Sequence, residues 1–373
     1  MPQQPAFRRG DAGAAVAEIR DRLSRLGLVR GADGGGDEDE AVAGTFDAQV
    51  DAAVRHFQQG QGLTVDGVVG PQTYRRLDEA RWSLGDRVLS YAVNHPIRGD
   101  DVATLQQRLS DMGFDPGRVD GIYGPATEHA ARQFQRNMGL PSDGTCGPAT
   151  FEALGRLNRT VVGGKPVAMR EHEAIRRSGP TLAGKVVVID PGHGGTDPGA
   201  AAHGLTERDV AADLAARIEG RLSALGVQAF LTRGRSDDNP EVRDDEARAA
   251  FANASAADLV VSLHIDQNPN AEARGVATYY YGGDRNGAHS AVGERLAALL
   301  QNEIVARTDL ADCRIHAKTW DLLRATKMPA VLLELGYLTN AGDAARLADP
   351  AFRDTIAEAV VAAVSELYAA AEA

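Results

Sequence analysis

The chain has 373 residues but only two cysteines, Cys146 and Cys313, set far apart. They lie in stretches of different character, so neither a disulfide framework nor a cysteine-built zinc site is available. Aromatic residues are sparse, at 5%. No apolar run approaches the roughly 20 residues that a membrane span requires. The basic excess of a nucleic-acid or anionic-membrane binder is missing too. Lys and Arg number 40 against 52 Asp and Glu, a net charge of −12. The opening "MPQQPAFRRGDAGAAVAEIRDRL" contains no apolar stretch followed by a small-residue cleavage site. The expectation is a soluble cytoplasmic protein with no nucleic-acid partner and no membrane span. What is present is ordinary globular material, 43% hydrophobic and 25% charged, enough for two or three domains.

An internal repeat organises the first half. "AVRHFQQGQGLTVDGVVGPQTYRRL" from Ala53 aligns without gaps with "AARQFQRNMGLPSDGTCGPATFEAL" from Ala130. Upstream, "VAEIRDRLSRLGL" from Val16 pairs with "VATLQQRLSDMGF" from Val102. Each copy reads as a helix, a loop, a second helix ending in "FQ", a "DG…GPxT" turn and a short third helix. Two small all-α three-helix bundles are expected, over 8–80 and 95–157. The first copy carries an acidic glycine-rich insertion, Gly31 to Gly44, read as a solvated loop. It lacks the ligand spacing of an EF-hand. Residues 158–182 are rich in Gly, Pro and charge and read as a linker.

From 183 to 373 strand-like and helical runs alternate, which predicts an α/β domain with a largely parallel sheet flanked by helices. "VVVIDPGHGGTDPGA", Val186 to Ala200, runs apolar and then breaks into a glycine-rich turn around His193. His264 ends the run "DLVVSLH" and Glu334 ends "PAVLLE". In an open parallel sheet the strand C-terminal ends share one edge, where sites form. Glu207, in "GLTERDV", begins the following helix and can be brought back over that edge. Two imidazoles and a carboxylate make three protein ligands for zinc, with a fourth position left for water. Zinc brings the pKa of bound water to about 7. A further carboxylate must then take the water proton and pass it to the leaving amine. Glu334 suits that role, because burial on an apolar strand raises its proton affinity. His203, His289 and His316 lack such placement and read as surface or loop residues. Cys313 and His316 have no second pair with which to build a metal site.

The repeats resemble the peptidoglycan-binding-domain-1 family at "LQQRLSDMGF", "VDGIYGPATEHAARQFQ" and "DGTCGPAT". That resemblance implies cell-wall binding modules. Residues from about 184 to 367 resemble the zinc-dependent N-acetylmuramoyl-L-alanine amidases, on "VVVIDPGHGGTDPGA", "GLTERDVAADLA", "LTR", "ADLVVSLHID" and "LLRATKMPAVLLELGYLTN". The resemblance implies zinc on His193, Glu207 and His264, catalysis by Glu334, and cleavage between N-acetylmuramic acid and L-alanine of the stem peptide. Where the family often has Asn two residues after the second histidine, this chain has Asp266. Asp266, Arg324 and Asn340 are candidate groups for touching substrate or supporting the ligands.

Across nearly the whole length the chain is similar to the actinobacterial CwlM-type proteins. Some of these have lost zinc ligands and are regarded as cytoplasmic regulators of peptidoglycan precursor synthesis, whereas this chain keeps the ligand residues. The implied partners are peptidoglycan, muropeptides or lipid-linked precursor. The alternative function is a regulator that binds precursor or a precursor-synthesis enzyme, with weak or no amidase activity. The alternative location is the cell wall, reached by a non-standard export route.

Overall fold

The computed structural model describes residues 6–29, 44–93, 95–157, 166–234, 244–283 and 289–369. The acidic insertion, apart from Gly44, lies outside the described residues, as does 158–165 of the predicted linker. Two compact units result, the second beginning at Ala168.

The first unit holds two three-helix bundles, each around its own apolar cluster. Helices α1 (Ala14–Arg25), α2 (Ala48–Gly60) and α3 (Pro71–Glu79) enclose Val16, Ile19, Phe46, Val54, Phe57 and Leu77. Helices α4 (Asp100–Asp111), α5 (Pro125–Asn137) and α6 (Pro148–Leu157) enclose Val102, Leu105, Tyr123, Phe134 and Leu154. The repeated "Q…DG…GPxT" pattern has a physical cause. The buried Gln58 amide donates to Asp66 Oδ1, the Val68 carbonyl and Thr73 Oγ1, while its oxygen accepts from Gly67 N. Gln106 makes the same four bonds to Asp120, Ile122, Thr127 and Gly121. Gln135 makes them to Asp143, Thr145, Thr150 and Gly144. One glutamine thus satisfies the turn's buried polar groups. The second copy uses the device twice, at Gln106 and Gln135.

Helix α7 (Pro166–Ser178) falls within the predicted linker. Its Glu171 carboxylate accepts from Ser290 Oγ and Val292 N, and Ile175 packs on the apolar core of the second unit. From Ala168 onward this stretch is therefore part of the α/β unit and not a free connector.

That unit is a six-stranded sheet in the order β4-β1-β5-β8-β6-β7. The strands are β1 (Val186–Pro191), β4 (Gln228–Leu231), β5 (Leu259–Asp266), β6 (Val276–Tyr281), β7 (Asp312–Lys318) and β8 (Ala330–Tyr337). Pairing is parallel except between β6 and β8. A two-stranded hairpin, β2 (Ala201–Ala202) with β3 (Leu205–Thr206), stands apart. The other helices are α8 (Glu207–Ala224), α9 (Asp245–Ala254), α10 (Ala291–Arg307), α11 (Asp321–Ala325), α12 (Ala341–Ala348) and α13 (Pro350–Ala369). One face of the sheet packs Val187, Ile189, Val261, Leu263, Val331, Leu333 and Tyr280 into the core with α8, α10 and α13. The alternate residues, among them Ser262, His264, Leu332, Glu334 and Tyr279, point to the opposite face. There α11 packs on β6 and β8, and α9 on α11. Strand β7 was not legible as a strand because it is an edge, with polar residues on its outer positions.

Candidate active site

Three strand ends and one helix start build the site. Strand β1 stops at Pro191, and the turn that follows holds His193 at φ 57°, a left-handed conformation rare for a residue with a side chain. Two buried arginines pin this turn by its carbonyls. Arg233 donates to the Pro191 and Gly192 oxygens, and Arg248 to those of Pro191 and His193. Burial, with Arg248 nearby, pushes the Arg233 guanidinium down to about 10. Arg248 is held in turn by Asp190, which also accepts from Thr232 Oγ1 and Ser262 Oγ. The unfavourable backbone of His193 is thus imposed by a bonded frame.

Glu207 opens α8. Thr206 caps the helix by accepting from Asp209 N, which aims the Glu207 side chain back over the β1–β5 edge. Each carboxylate oxygen of Glu207 meets one backbone N–H and one imidazole. Oε2 accepts from Ala200 N at 2.9 Å and lies 3.0 Å from His193 Nε2. Oε1 accepts from Ile265 N at 3.1 Å and lies 2.9 Å from His264 Nδ1. The two imidazole rings stand edge to face, 5.3 Å apart.

The glycines of the turn now have a reason. A Cβ on Gly192 would enter the His264 ring, and one on Gly199 would enter Glu207 and His193. Only backbone without a side chain lets the three groups converge.

The donor set fits a divalent cation. Ligand atoms of His193, Glu207 and His264 all lie within 4.8 Å of one another, and this is the one such cluster among the described residues. Two imidazoles and a carboxylate are donor types that zinc takes, at bonds of roughly 2 Å. Glu207 is buried and the imidazoles are half-buried, so the cluster stays open on one side. Burial acts to lower the His193 imidazole, but Glu207 and Asp197 outweigh it and push it up to about 9. Burial acts to raise Glu207, but the two imidazoles hold it well below the usual carboxylate range.

Asp197 was not singled out in the sequence. Its Oδ2 lies 2.7 Å from His193 Nδ1, which takes up that nitrogen and turns Nε2 toward the cluster. The signal was present as the Asp four residues after His193 in the same turn. Arg233, Arg248 and Asp190 were also missed. Nothing in the spacing tells a buried carbonyl-binding arginine from a surface one.

Glu334 lies directly across from His264 in the β5–β8 pairing, on the same face. Its Oε2 is buried with no hydrogen-bond partner among the described residues. Burial, with the charges of Asp266 and Glu207, pushes this carboxyl well above its ordinary range. Asp266 follows a bulge at the end of β5, and burial raises its carboxyl as well. Its Oδ1 accepts from Gln267 N, and Tyr337 hydrogen-bonds to its side chain. Arg324 is buried on α11. Asn340 is placed differently from the other three: its oxygen caps α12 by accepting from Gly342 N and Asp343 N, and its amide donates to the Ala271 carbonyl. Those bonds occupy it as a structural cap. His203 sits at the hairpin tip, His289 pairs with Glu294, and His316 Nε2 lies 2.7 Å from the Cys313 carbonyl oxygen. Both cysteines are free.

Residues 187–366 match the N-acetylmuramoyl-L-alanine amidase family, and 12–77 and 98–154 match a peptidoglycan binding domain. The N-acetylmuramoyl-L-alanine amidase CwlM of Mycobacterium tuberculosis is 47% identical over 373 residues, covering 97% of this chain and 89% of its own. The amidase LytC of Bacillus subtilis is 32% identical over 179 residues, 48% of this chain and 34% of its own. The solved structure of the amidase Ami1 from Mycobacterium smegmatis is 26% identical, with a TM-score of 0.45 over 51% of this chain and 99% of that one.

Proposed function

We infer that this chain, which belongs to the N-acetylmuramoyl-L-alanine amidase family, hydrolyses the amide joining the lactyl group of N-acetylmuramic acid to L-alanine, with zinc held by His193, Glu207 and His264. The observation that carries this reading is the convergence of those three ligand atoms within 4.8 Å, with Glu334 as the in-register neighbour of His264. Zinc at such a site supplies Lewis acidity, which makes water nucleophilic near neutral pH and polarises a carbonyl. The chain's own residues do the rest. Asp197 orients His193. Glu334 takes the proton from the attacking water and returns it to the alanine nitrogen as the amide breaks. Its raised proton affinity brings it toward the range a general base needs. The unpartnered Oε2 is the atom available for that transfer. The helical repeats bind peptidoglycan and keep the hydrolytic unit on its polymer.

The test incubates zinc-loaded protein with muropeptides and counts new L-alanine amino termini. Wild type releases them. Glu334→Gln retains metal and loses turnover by about 10²–10⁴-fold, the usual weight of a general base. Equal turnover in both removes Glu334 from the reaction. No release by the wild type removes the hydrolase reading.

A further inference from the structure

The catalytic face of the sheet continues beyond Glu334 onto residues that the hydrolytic step does not use. Strand β6 runs antiparallel to β8, with Ala277 opposite Glu334 and Tyr279 opposite Leu332. Strand β7 continues the row, with His316 beside Tyr279 and Lys318 beside Tyr281. Partners directly across a ladder share a face, so Glu334, Tyr279, His316 and Lys318 all lie on one side. Trp320, just after β7, packs on this row. Its ring centroid is 4.5 Å from that of Tyr279, and Lys318 Nζ stands 5.8 Å over its ring. Tyr279 lies close enough to Glu334 for that carboxylate, second to burial, to raise its phenol. Burial lowers the Lys318 ammonium, which marks a partly desolvated cation. The Trp320 indole N–H is buried with no acceptor among the described residues. Such a donor is ordinarily met by water or ligand.

The length of this strip is informative. Lys318 stands two strands away from Glu334 and about four residues along. With strands about 4.8 Å apart and about 3.3 Å per residue, the backbone separation is roughly 16 Å. That is the reach of about four to five extended residues. The composition is informative as well. The metal end is acidic, with Asp197, Glu207, Asp266 and Glu334, while the far end offers a cation beside an aromatic wall.

We propose that the strip Tyr279–Trp320–Lys318 is the subsite for the peptide part of the substrate, with the two aromatic rings supporting an extended chain of about four residues and Lys318 binding the carboxylate at its end. The proposal deepens the amidase reading and rests on it for the direction in which the peptide leaves the reacting bond. It makes Lys318 a specificity residue that acts in binding and not in the chemical step.

The experiment uses the full chain. It compares an N-acetylmuramoyl tetrapeptide bearing a free C-terminal carboxylate with the same molecule carrying a C-terminal carboxamide. Lys318→Met is expected to raise KM for the free acid about tenfold, with kcat unchanged, and to leave the carboxamide unaffected. The chain has two tryptophans. Trp82→Phe therefore leaves Trp320 as the sole indole reporter, and its emission should shift on adding the tetrapeptide even to metal-stripped protein. Equal KM changes for acid and carboxamide, or an unmoved Trp320 emission, overturn the subsite. Emission that shifts without any hydrolysis by the zinc-loaded protein upholds the subsite and overturns the amidase reading. Hydrolysis without the shift does the reverse.

Discussion

At the residue scale the site depends on where side chains are absent as much as on where they are present. Gly192 shows this cleanly, because its φ lies outside the left-handed region and alanine there is not strained by backbone. Its Cβ would instead displace the His264 ring. Gly192→Ala is therefore expected to weaken metal binding by tenfold or more while shifting Tm little, measured by chelator competition and thermal melting in the stripped protein. A large loss of Tm with metal affinity intact would contradict this account. Asp197→Ala removes the partner of His193 Nδ1. Supports of this kind are worth about 10–100-fold in metal affinity. The same chelator titration reads that loss, and His193→Ala should abolish binding altogether. Glu207 and both histidines were legible as candidates because each ends or begins a run with clear periodicity. Asp197 was written in the same turn, but its aim depends on the left-handed His193.

The element scale is where the turn after β1 acquires its rigidity. Asp190 is fully buried and holds Arg248, which donates to the His193 carbonyl. Burial acts to raise the Asp190 carboxyl, but Arg248, Thr232 and Ser262 outweigh it and hold it below the ordinary range. A depressed folded-state value contributes stability that is complete above the unfolded value of about 3.9. That stability is lost as pH falls through the folded value. Asp190→Asn should cost about 3–5 kcal/mol at pH 7, the usual result of leaving one member of a buried pair alone. The gap between variant and wild type should narrow below about pH 4. Denaturant midpoints at pH 7 and pH 3 measure both; an unchanged gap would mean that the Asp190 charge is not what holds Arg248. In the bundles, Gln106→Leu strands the buried Gly121 N–H. At about 1–3 kcal/mol for a stranded group, it should destabilise the second repeat, seen as faster hydrogen exchange in α4–α6. The glutamine locks lay in plain view as a repeat, but a repeat reports recurrence and not the bonds that cause it.

Across the whole molecule the chain falls into two units with separate cores. Among the described residues no helix is long and apolar enough to cross a membrane. Three separate cores, two of them in the first unit, predict more than one unfolding transition in calorimetry. They also predict that a chain starting at residue 166, which keeps α7 and its Glu171 bond to Ser290, cuts small muropeptides at wild-type rate. That shortened chain should no longer sediment with insoluble peptidoglycan. Sedimentation equal to the full chain would place polymer binding in the α/β unit.

Local pattern settled the fold class, the duplicated bundles and three strand ends bearing His193, His264 and Glu334. Periodicity and turn residues are short-range properties, so a linear string carries them. Tertiary structure alone decided that β6 reverses against β8, which carries Tyr279 alongside Glu334. It alone made α7 part of the second unit, turned Asn340 into a helix cap and buried Arg233 and Arg248 beneath the His193 turn. Each of these rests on register or contact between segments tens of residues apart. Such contacts are selected by packing the whole core at once, and no local stretch encodes them.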